Sequence, residues 1–328
     1  MSKEQRKILL SGIKPTGRVH IGNYFGAMKQ FVDLQDKYEN YIFIADYHAM
    51  TTVQNRAELM QGIIDVALDY LAIGLDPKKV TLFKQSDVPQ VAELAWMFNC
   101  ITTMPYLMRA HAYKDAEAKN KEINVGLFDY PLLMAADILM QDADLVPVGQ
   151  DQKQHVEYAR DTAQKFNRIY GETFKMPEHY ILPKVETVPG TDGKKMSKSN
   201  DNIIPLFATD EEIKKAVMKI PTDSKGVDEP KNPDESLIFA IHKLVINGDA
   251  LKTLEDKYKK GGMGYKEAKE LLIKDLTAFI KPMREKREML AQDMDSVYDI
   301  LKEGGKRASM NAEKKMKEVR EKVGVEIY

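Results

Sequence analysis

Short runs of uniformly apolar residues, separated by segments with helical periodicity, constrain this chain more than any other feature. Ile8–Leu10, Tyr41–Ala45, Val80–Lys84, Asp144–Val148 and the weaker Tyr180–Leu182 are apolar at successive positions apart from Thr81, Lys84 and Asp144, instead of alternating with polar residues. A strand apolar on both sides is buried on both sides, which is the condition of a parallel sheet covered by helices. The first run ends at Ser11-Gly12, read as a turn, and the second and third bracket a helix. That helix starts at Asn55, with Glu58 three residues on, and repeats Leu59, Ile63, Val66, Ala67 and Tyr70 along one face. Strand and helix alternate, so the expected fold is α/β, a doubly wound parallel sheet. From Trp96 to about Met140 the pattern is helical, an insertion between two halves of the sheet.

Beyond Leu206 strand signals stop and charge thickens. The last 123 positions hold 25 basic and 24 acidic residues, against 24 and 26 in the first 205. Glu and Lys interleave at helical spacing there, as in Glu267, Lys269, Glu270 and Lys274, which predicts amphipathic helices with solvated faces. The expected organisation is a sheet domain over 1–205, with its insertion at about 96–140, and an all-helical domain over 206–328. The last helix of that domain is free to fold back on the first.

Formal net charge is -1, so any polyanionic partner must be met by a local basic face. A single cysteine, Cys100, excludes an intrachain disulfide and a cysteine metal cluster, and six scattered histidines lack the i, i+4 spacing of two ligands on one helix. No structural metal is expected. Lacking an apolar run of bilayer length or a leader-like start, the chain is expected in the cytoplasm, away from membranes.

Two segments carry chemistry. The first strand runs into Gly12-Ile13-Lys14-Pro15-Thr16-Gly17-Arg18-Val19-His20-Ile21-Gly22-Asn23. Glycines at a strand-to-helix turn let backbone approach a ligand, and a helix start offers N–H groups to phosphate. Arg18 and Val19 stand where a P-loop needs Lys and Ser or Thr, so a Walker cradle is excluded. Far downstream, Gly193-Lys194-Lys195-Met196-Ser197-Lys198-Ser199 places flexible ammonium groups where they can follow charge on a leaving pyrophosphate.

His20-Ile21-Gly22-Asn23 resembles the HIGH signature of class I aminoacyl-tRNA synthetases, and Lys195-Met196-Ser197-Lys198-Ser199 is identical to their KMSKS signature. Over nearly its whole length the chain looks like the bacterial-type tryptophanyl-tRNA synthetases. The likeness rests on Ser11–Gly17, Gly22-Asn23-Tyr24, Asp46–Ala49, Tyr130–Leu139 and Val146–His155, all in the family's order. That resemblance implies a Rossmann-type catalytic domain, an insertion that helps form a homodimer and a helical anticodon-binding domain. The implied substrates are L-tryptophan, ATP with Mg2+ and tryptophan tRNA, with no tightly bound cofactor. Tryptophanyl-adenylate would form first, releasing pyrophosphate, and then pass its acyl group to tRNA.

Carried over by position, the resemblance puts Lys14, Pro15, Thr16, His20, Gly22, Asn23, Gly149, Gln150, Asp151, Val188, Lys195, Met196, Ser197, Lys198 and Ser199 at ATP. Among these, His20, Lys195, Lys198 and Ser199 are expected to act on the pyrophosphate side, and Gly22 to leave room for adenine. Asp137 would accept the indole N–H and Met134 would pack on the ring, with Tyr130, His48, Val146 and Gln152 completing the pocket. Lys14 and Gln150 depart from the Gln and Glu that many relatives carry, each exchange altering one charge. Phenol and indole are both donors, so tyrosine is the rival substrate on chemistry alone. A nucleotidyltransferase without tRNA is a further alternative, and a non-catalytic tRNA-binding paralogue a third. Bland roles are expected for three other residues: Trp96 as insertion core or dimer contact, Cys100 as a small buried side chain, and His242 as a satisfied core histidine.

Overall fold

The computed structural model describes residues 6–118, 122–148, 153–181 and 188–327. Strands β1 (Ile8–Ile13), β2 (Glu39–Ile44), β3 (Val80–Lys84), β4 (Leu145–Val148) and β5 (Glu178–Ile181) form one sheet, ordered β3-β2-β1-β4-β5, with every recorded pairing parallel. Its longer helices are α1 (Arg56–Ala72), α2 (Gln90–Ile101), α3 (His111–Ala118), α4 (Val125–Met140), α5 (Lys153–Tyr170), α6 (Asp210–Met218), α7 (Gly248–Lys260), α8 (Tyr265–Ala291) and α9 (Met294–Val323). Among the described residues no helix is long and apolar enough to cross a membrane.

The parallel sheet anticipated from the apolar runs is present; β2 and β5 each begin two residues earlier than the runs suggest, and β1 runs on at its other end. β1 does not turn at Ser11-Gly12 but continues to Ile13, pairing Gly12 with Phe43 and Ile13 with Ile44. Glycine serves here because a Cβ at position 12 would stand 2.5 Å from Phe43 Cζ. Asn55 caps α1 by accepting from the Glu58 N–H at 3.1 Å, as the sequence suggests. Between β3 and β4 the chain is helical, as expected, through α2, α3 and α4.

Strand order reverses direction between β1 and β4, and there the sheet is loosely joined. Among the described residues β1 meets β4 at a single pair, Leu9–Leu145. Beyond that pair the two strands leave a crevice at their carboxyl ends, the place where open α/β sheets take ligands.

Contacts divide the chain into two units, interleaved in sequence: Met1–Gly17, Asp33–Leu182 and Asp293–Tyr328 in one, Arg18–Val32 and Pro183–Gln292 in the other. The sheet unit contains α9, which covers the free edge of β3. Arg307 Nη2 donates to the carbonyls of Pro77 and Val80 at 3.2 Å each, and a Cβ on Gly304 would lie 1.8 Å from Leu82 O. Ala308, Ala312, Met316 and Val319 continue the same helix into the sheet unit's core. An edge sealed in this way cannot pair with another chain.

On α2 the buried face is Val91, Leu94, Ala95 and Phe98. Trp96 and Cys100 fall on the opposite face at i, i+4, so Trp96 is exposed and not insertion core, and Cys100 is exposed and not buried. In the second unit α6 and α8 pack together, with Leu272, Leu276 and Ile280 buried along α8. His242 is buried there and its Nε2 lies 2.6 Å from Asp275 Oδ2. Its Nδ1 has no hydrogen-bond partner among the described residues, so the histidine expected to be satisfied is satisfied on one side.

Candidate active site

The crevice beside β1 and β4 holds a cavity of about 430 Å3 in the sheet unit. Gly12 to Lys14 line one wall and Val146 to Val148 another, while His48, Tyr130, Met134 and Asp137 come from the helices that follow β2 and β3. All five described pocket residues expected from the sequence (His48, Tyr130, Met134, Asp137 and Val146) are therefore brought together. Gly149, Gln150, Asp151 and Gln152 lie outside the described residues.

Asp137 is the polar centre of this cavity. It sits one turn after Met134 on α4, buried, and among the described residues it lacks the Lys or Arg that an ordinary helix aspartate would find. Instead Oδ2 lies 3.0 Å from His48 Nε2, and Gln85 Nε2 stands 2.9 Å from each carboxylate oxygen. Burial pushes the Asp137 carboxyl above its usual range, against the hydrogen bonds from His48 and Gln85 that favour the charged form. Tyr130 Oη is 3.3 Å from His155 Nε2, a second polar pair at the rim. Such a site is an apolar slot with one fixed acceptor, fit for a flat ring bearing an N–H or O–H.

After β1, Lys14 lines the same cavity and its Nζ donates to Thr51 Oγ1 at 3.3 Å. Pro15 is buried against α1, where Gly62 leaves room: a Cβ there would meet Pro15 O at 2.3 Å. Thr16 N donates back to Lys14 O at 2.8 Å, and Gly17 takes φ +61°, closing a tight turn.

The second unit contains both signature segments. Ile21 N donates to Ile204 O and Leu206 N to Val19 O, each at 3.0 Å, with a bridge between His20 and Pro205. This zipper brings His20, Gly22 and Asn23 beside the chain that leaves Lys195–Ser199. Asn23 Oδ1 accepts from His20 N at 3.2 Å. His20 is buried with Nδ1 unpartnered among the described residues, and burial, reinforced by the positive charge of Lys198, lowers its pKa to about 4, so the ring is neutral at pH 7. A Cβ on Gly22 would lie 2.9 Å from His20 Nδ1 and 3.3 Å from Met196 Cβ. The glycine is thus needed for the two signatures to approach.

The lysine loop is a short hairpin. Met196 N donates to Val188 O at 3.0 Å and Gly190 N to Lys194 O at 2.6 Å, around a turn in which Gly193 takes φ +83°. Buried Met196 and Val188 anchor it, while Lys195, Lys198 and Ser199 are exposed. Ser197 Oγ accepts from Ser199 N at 3.2 Å. Such a loop presents ammonium and hydroxyl groups from a fixed base, the arrangement that charge developing on phosphoryl oxygens requires.

The model of the family described as tRNA synthetases class I (W and Y) matches residues 2–281. The chain belongs to this family. Among relatives of the synthetase, the tryptophan–tRNA ligase of Fusobacterium nucleatum is 52% identical, aligned over 96% of this chain and 97% of its own length. That of Rhodopirellula baltica is 48% identical over 92% and 94%. The crystal structure of tryptophanyl-tRNA synthetase from Campylobacter jejuni, complexed with ADP and tryptophan, is 44% identical, with a TM-score of 0.93 over 97% of this chain and 99% of that one.

Three residues of the synthetase escape a reading of its sequence. Gln85 lies at the carboxyl end of β3, and that position was its only signal. His155 stands on α5 within the quoted Val146–His155 phrase, yet nothing in its spacing marks it as Tyr130's partner. Asn202 is buried behind the lysine loop; its Nδ2 donates to Asp192 Oδ1 at 2.6 Å and Lys195 O at 3.1 Å, and its Oδ1 accepts from Ser197 N at 2.8 Å.

Proposed function

We propose that this chain is a tryptophan–tRNA ligase. A tryptophan carboxylate oxygen attacks the α-phosphorus of ATP, forming an O–P bond as the bond to pyrophosphate breaks. A terminal ribose hydroxyl of tryptophan tRNA then attacks the carbonyl carbon, and AMP leaves. Carboxylate is a nucleophile at neutral pH, so positioning and electrostatics supply most of the rate.

The observation that carries this reading is Asp137: a buried acceptor, fixed by two partners, in an apolar cavity. Indole N–H only donates, so it matches that acceptor. Met134, Tyr130, His48, Val146 and Gln152 frame the ring. Lys14, Pro15, Thr16, Gly22, Asn23, Gly149, Gln150, Asp151, Val188, Met196 and Ser197 serve ATP, which arrives with Mg2+ as its counterion. His20, Lys195, Lys198 and Ser199 meet the departing pyrophosphate. The helical segment from residue 206 up to the start of α9 holds the anticodon arm, and exposed Trp96, Met104 and Val125 favour a homodimer through the insertion. The enzyme works in the cytoplasm.

Pyrophosphate exchange with each amino acid in turn, followed by charging of total tRNA, tests the proposal. Exchange driven by tryptophan and charging of a single tRNA are expected. Exchange driven by tyrosine, or exchange without charging, would overturn it.

A further inference from the structure

We propose that Gln85 is a positioning residue for amino-acid choice, acting through Asp137: its amide sets the rotation of the carboxylate and leaves one lone pair, on Oδ1, for an indole N–H. The inference rests on the tryptophan reading of the cavity.

Gln85 is 1% exposed and opens the short turn Gln85–Asp87 that closes β3. Its Nε2 reaches both Asp137 oxygens at 2.9 Å, and its Oε1 accepts from His48 N at 3.2 Å. Only one orientation of the amide makes all these contacts attractive, NH2 toward the carboxylate and oxygen toward the backbone N–H. A carboxylate only accepts, so the 3.0 Å contact also places the His48 proton on Nε2. About four lone-pair sites exist on a carboxylate. Gln85 occupies one on each oxygen and His48 the second on Oδ2, which leaves one on Oδ1.

Rotation of a carboxylate about χ2 is soft, so packing alone does not fix it. Gln85 does, and it is itself fixed by the turn. Next in sequence, Ser86 donates from its N–H to Asp46 Oδ1 at 3.0 Å and from its hydroxyl to Asp46 Oδ2, tying the turn to the start of the segment that carries His48. Donor, turn and acceptor form one rigid set around the cavity.

The test compares L-tryptophan with β-(3-benzothienyl)alanine, which has sulfur in place of the indole N–H, in calorimetric titrations of the full-length protein and of Gln85→Met. Loss of a buried hydrogen bond to a charged acceptor predicts a dissociation constant for tryptophan about 10- to 100-fold weaker in the variant. Affinity for the benzothienyl analogue should not change, because it has no N–H to place. A parallel loss for both ligands would make Gln85 a packing residue and overturn the proposal, as would no loss for either. If the unsubstituted protein shows no preference for tryptophan over the analogue, the reading of the cavity fails instead. Should Gln85→Met not fold, Gln85→Glu replaces it. Two facing carboxylates favour a shared proton, so tryptophan affinity should strengthen from about pH 8 to about pH 6; a flat profile overturns the proposal.

Discussion

His48 Nε2 stands 3.0 Å from Asp137 Oδ2, a buried contact that joins residues 89 positions apart. Removing one member of such a pair strands the other in a dry site, which is costlier than losing an exposed hydrogen bond. If the cavity takes tryptophan as proposed, recognition and stability share these atoms, and a substitution should register in both.

Asp137→Ala is expected to raise the tryptophan KM in pyrophosphate exchange by about 100-fold or more, because a polar site that loses its acceptor loses most of its discrimination. ATP dependence should change little, and the melting curve should record a loss of about 1–3 kcal/mol. Tryptophan dependence that survives intact would remove Asp137 from the pocket. Acidification of the unsubstituted protein should act in the same sense. Burial raises the Asp137 carboxyl, so tryptophan affinity should begin to fall at a higher pH than an ordinary aspartate would dictate. For stability the sign is opposite: the ionised group's penalty is complete above the raised value and absent below the unfolded one.

Lys198→Ala should lower the exchange turnover by about 100-fold while leaving the ATP KM nearly unchanged, since a group that follows developing charge acts in the transition state. Comparable losses in both constants would make Lys198 a ground-state binder.

His20 should titrate near pH 4, readable as the ring signal of labelled histidine, because it is buried and faces the charge of Lys198. An unfolded histidine takes up its proton near pH 6.5 and the folded one does not until about 4, so stability is full above the first value and is lost as pH falls toward the second. A ring that titrates near 6.5 in the folded protein would contradict the buried placement.

Gly304→Ala should destabilise the chain by about 2–3 kcal/mol in thermal denaturation, because the added carbon would lie 1.8 Å from Leu82 O and backbone must move. Gly26→Ala is the control. Nothing lies within 4 Å of its added Cβ, and a gain of up to about 1 kcal/mol is expected from helical preference.

Arg18 and Glu212 pair through two contacts of 2.6 and 2.9 Å, and the guanidinium helps hold the Glu212 carboxyl down at about 2. Both side chains are more than one-third exposed, so solvent screening limits the loss on Arg18→Met to about 1 kcal/mol or less. Stability from the pair should be present above pH 4.5 and fade as pH falls toward 2, with high salt shrinking the difference between variant and parent.

What the sequence reveals follows its periodicity. β3 was legible to the residue, because an apolar β-branched run bounded by polar ones has few other readings. β1 was cut short at Ser11-Gly12, since a glycine that ends a strand and one that accommodates Phe43 look alike until the neighbour is known. Cys100 escaped, and the core alternative for Trp96 fell, because their side of α2 could not be assigned from type alone; the buried face was claimed by Val91, Leu94 and Phe98. That Asp137 and Met134 would stand together at one cavity was legible through a contiguous phrase on one helix. Gln85 was not, for it joins them across 52 residues by a contact that only the sheet creates.

Covering the edge of β3 with α9 also sets an order of events during synthesis. Val80 and Leu82 leave the ribosome more than two hundred residues before Gly304 and Arg307 do, so the strand waits with outward carbonyls unclaimed. A nascent chain stalled anywhere in that interval presents an open strand to its neighbours. Chaperone demand and aggregation should therefore be greatest for ribosome-stalled or prematurely terminated products that reach α8 but stop short of α9, even though such products would contain every residue assigned here to chemistry.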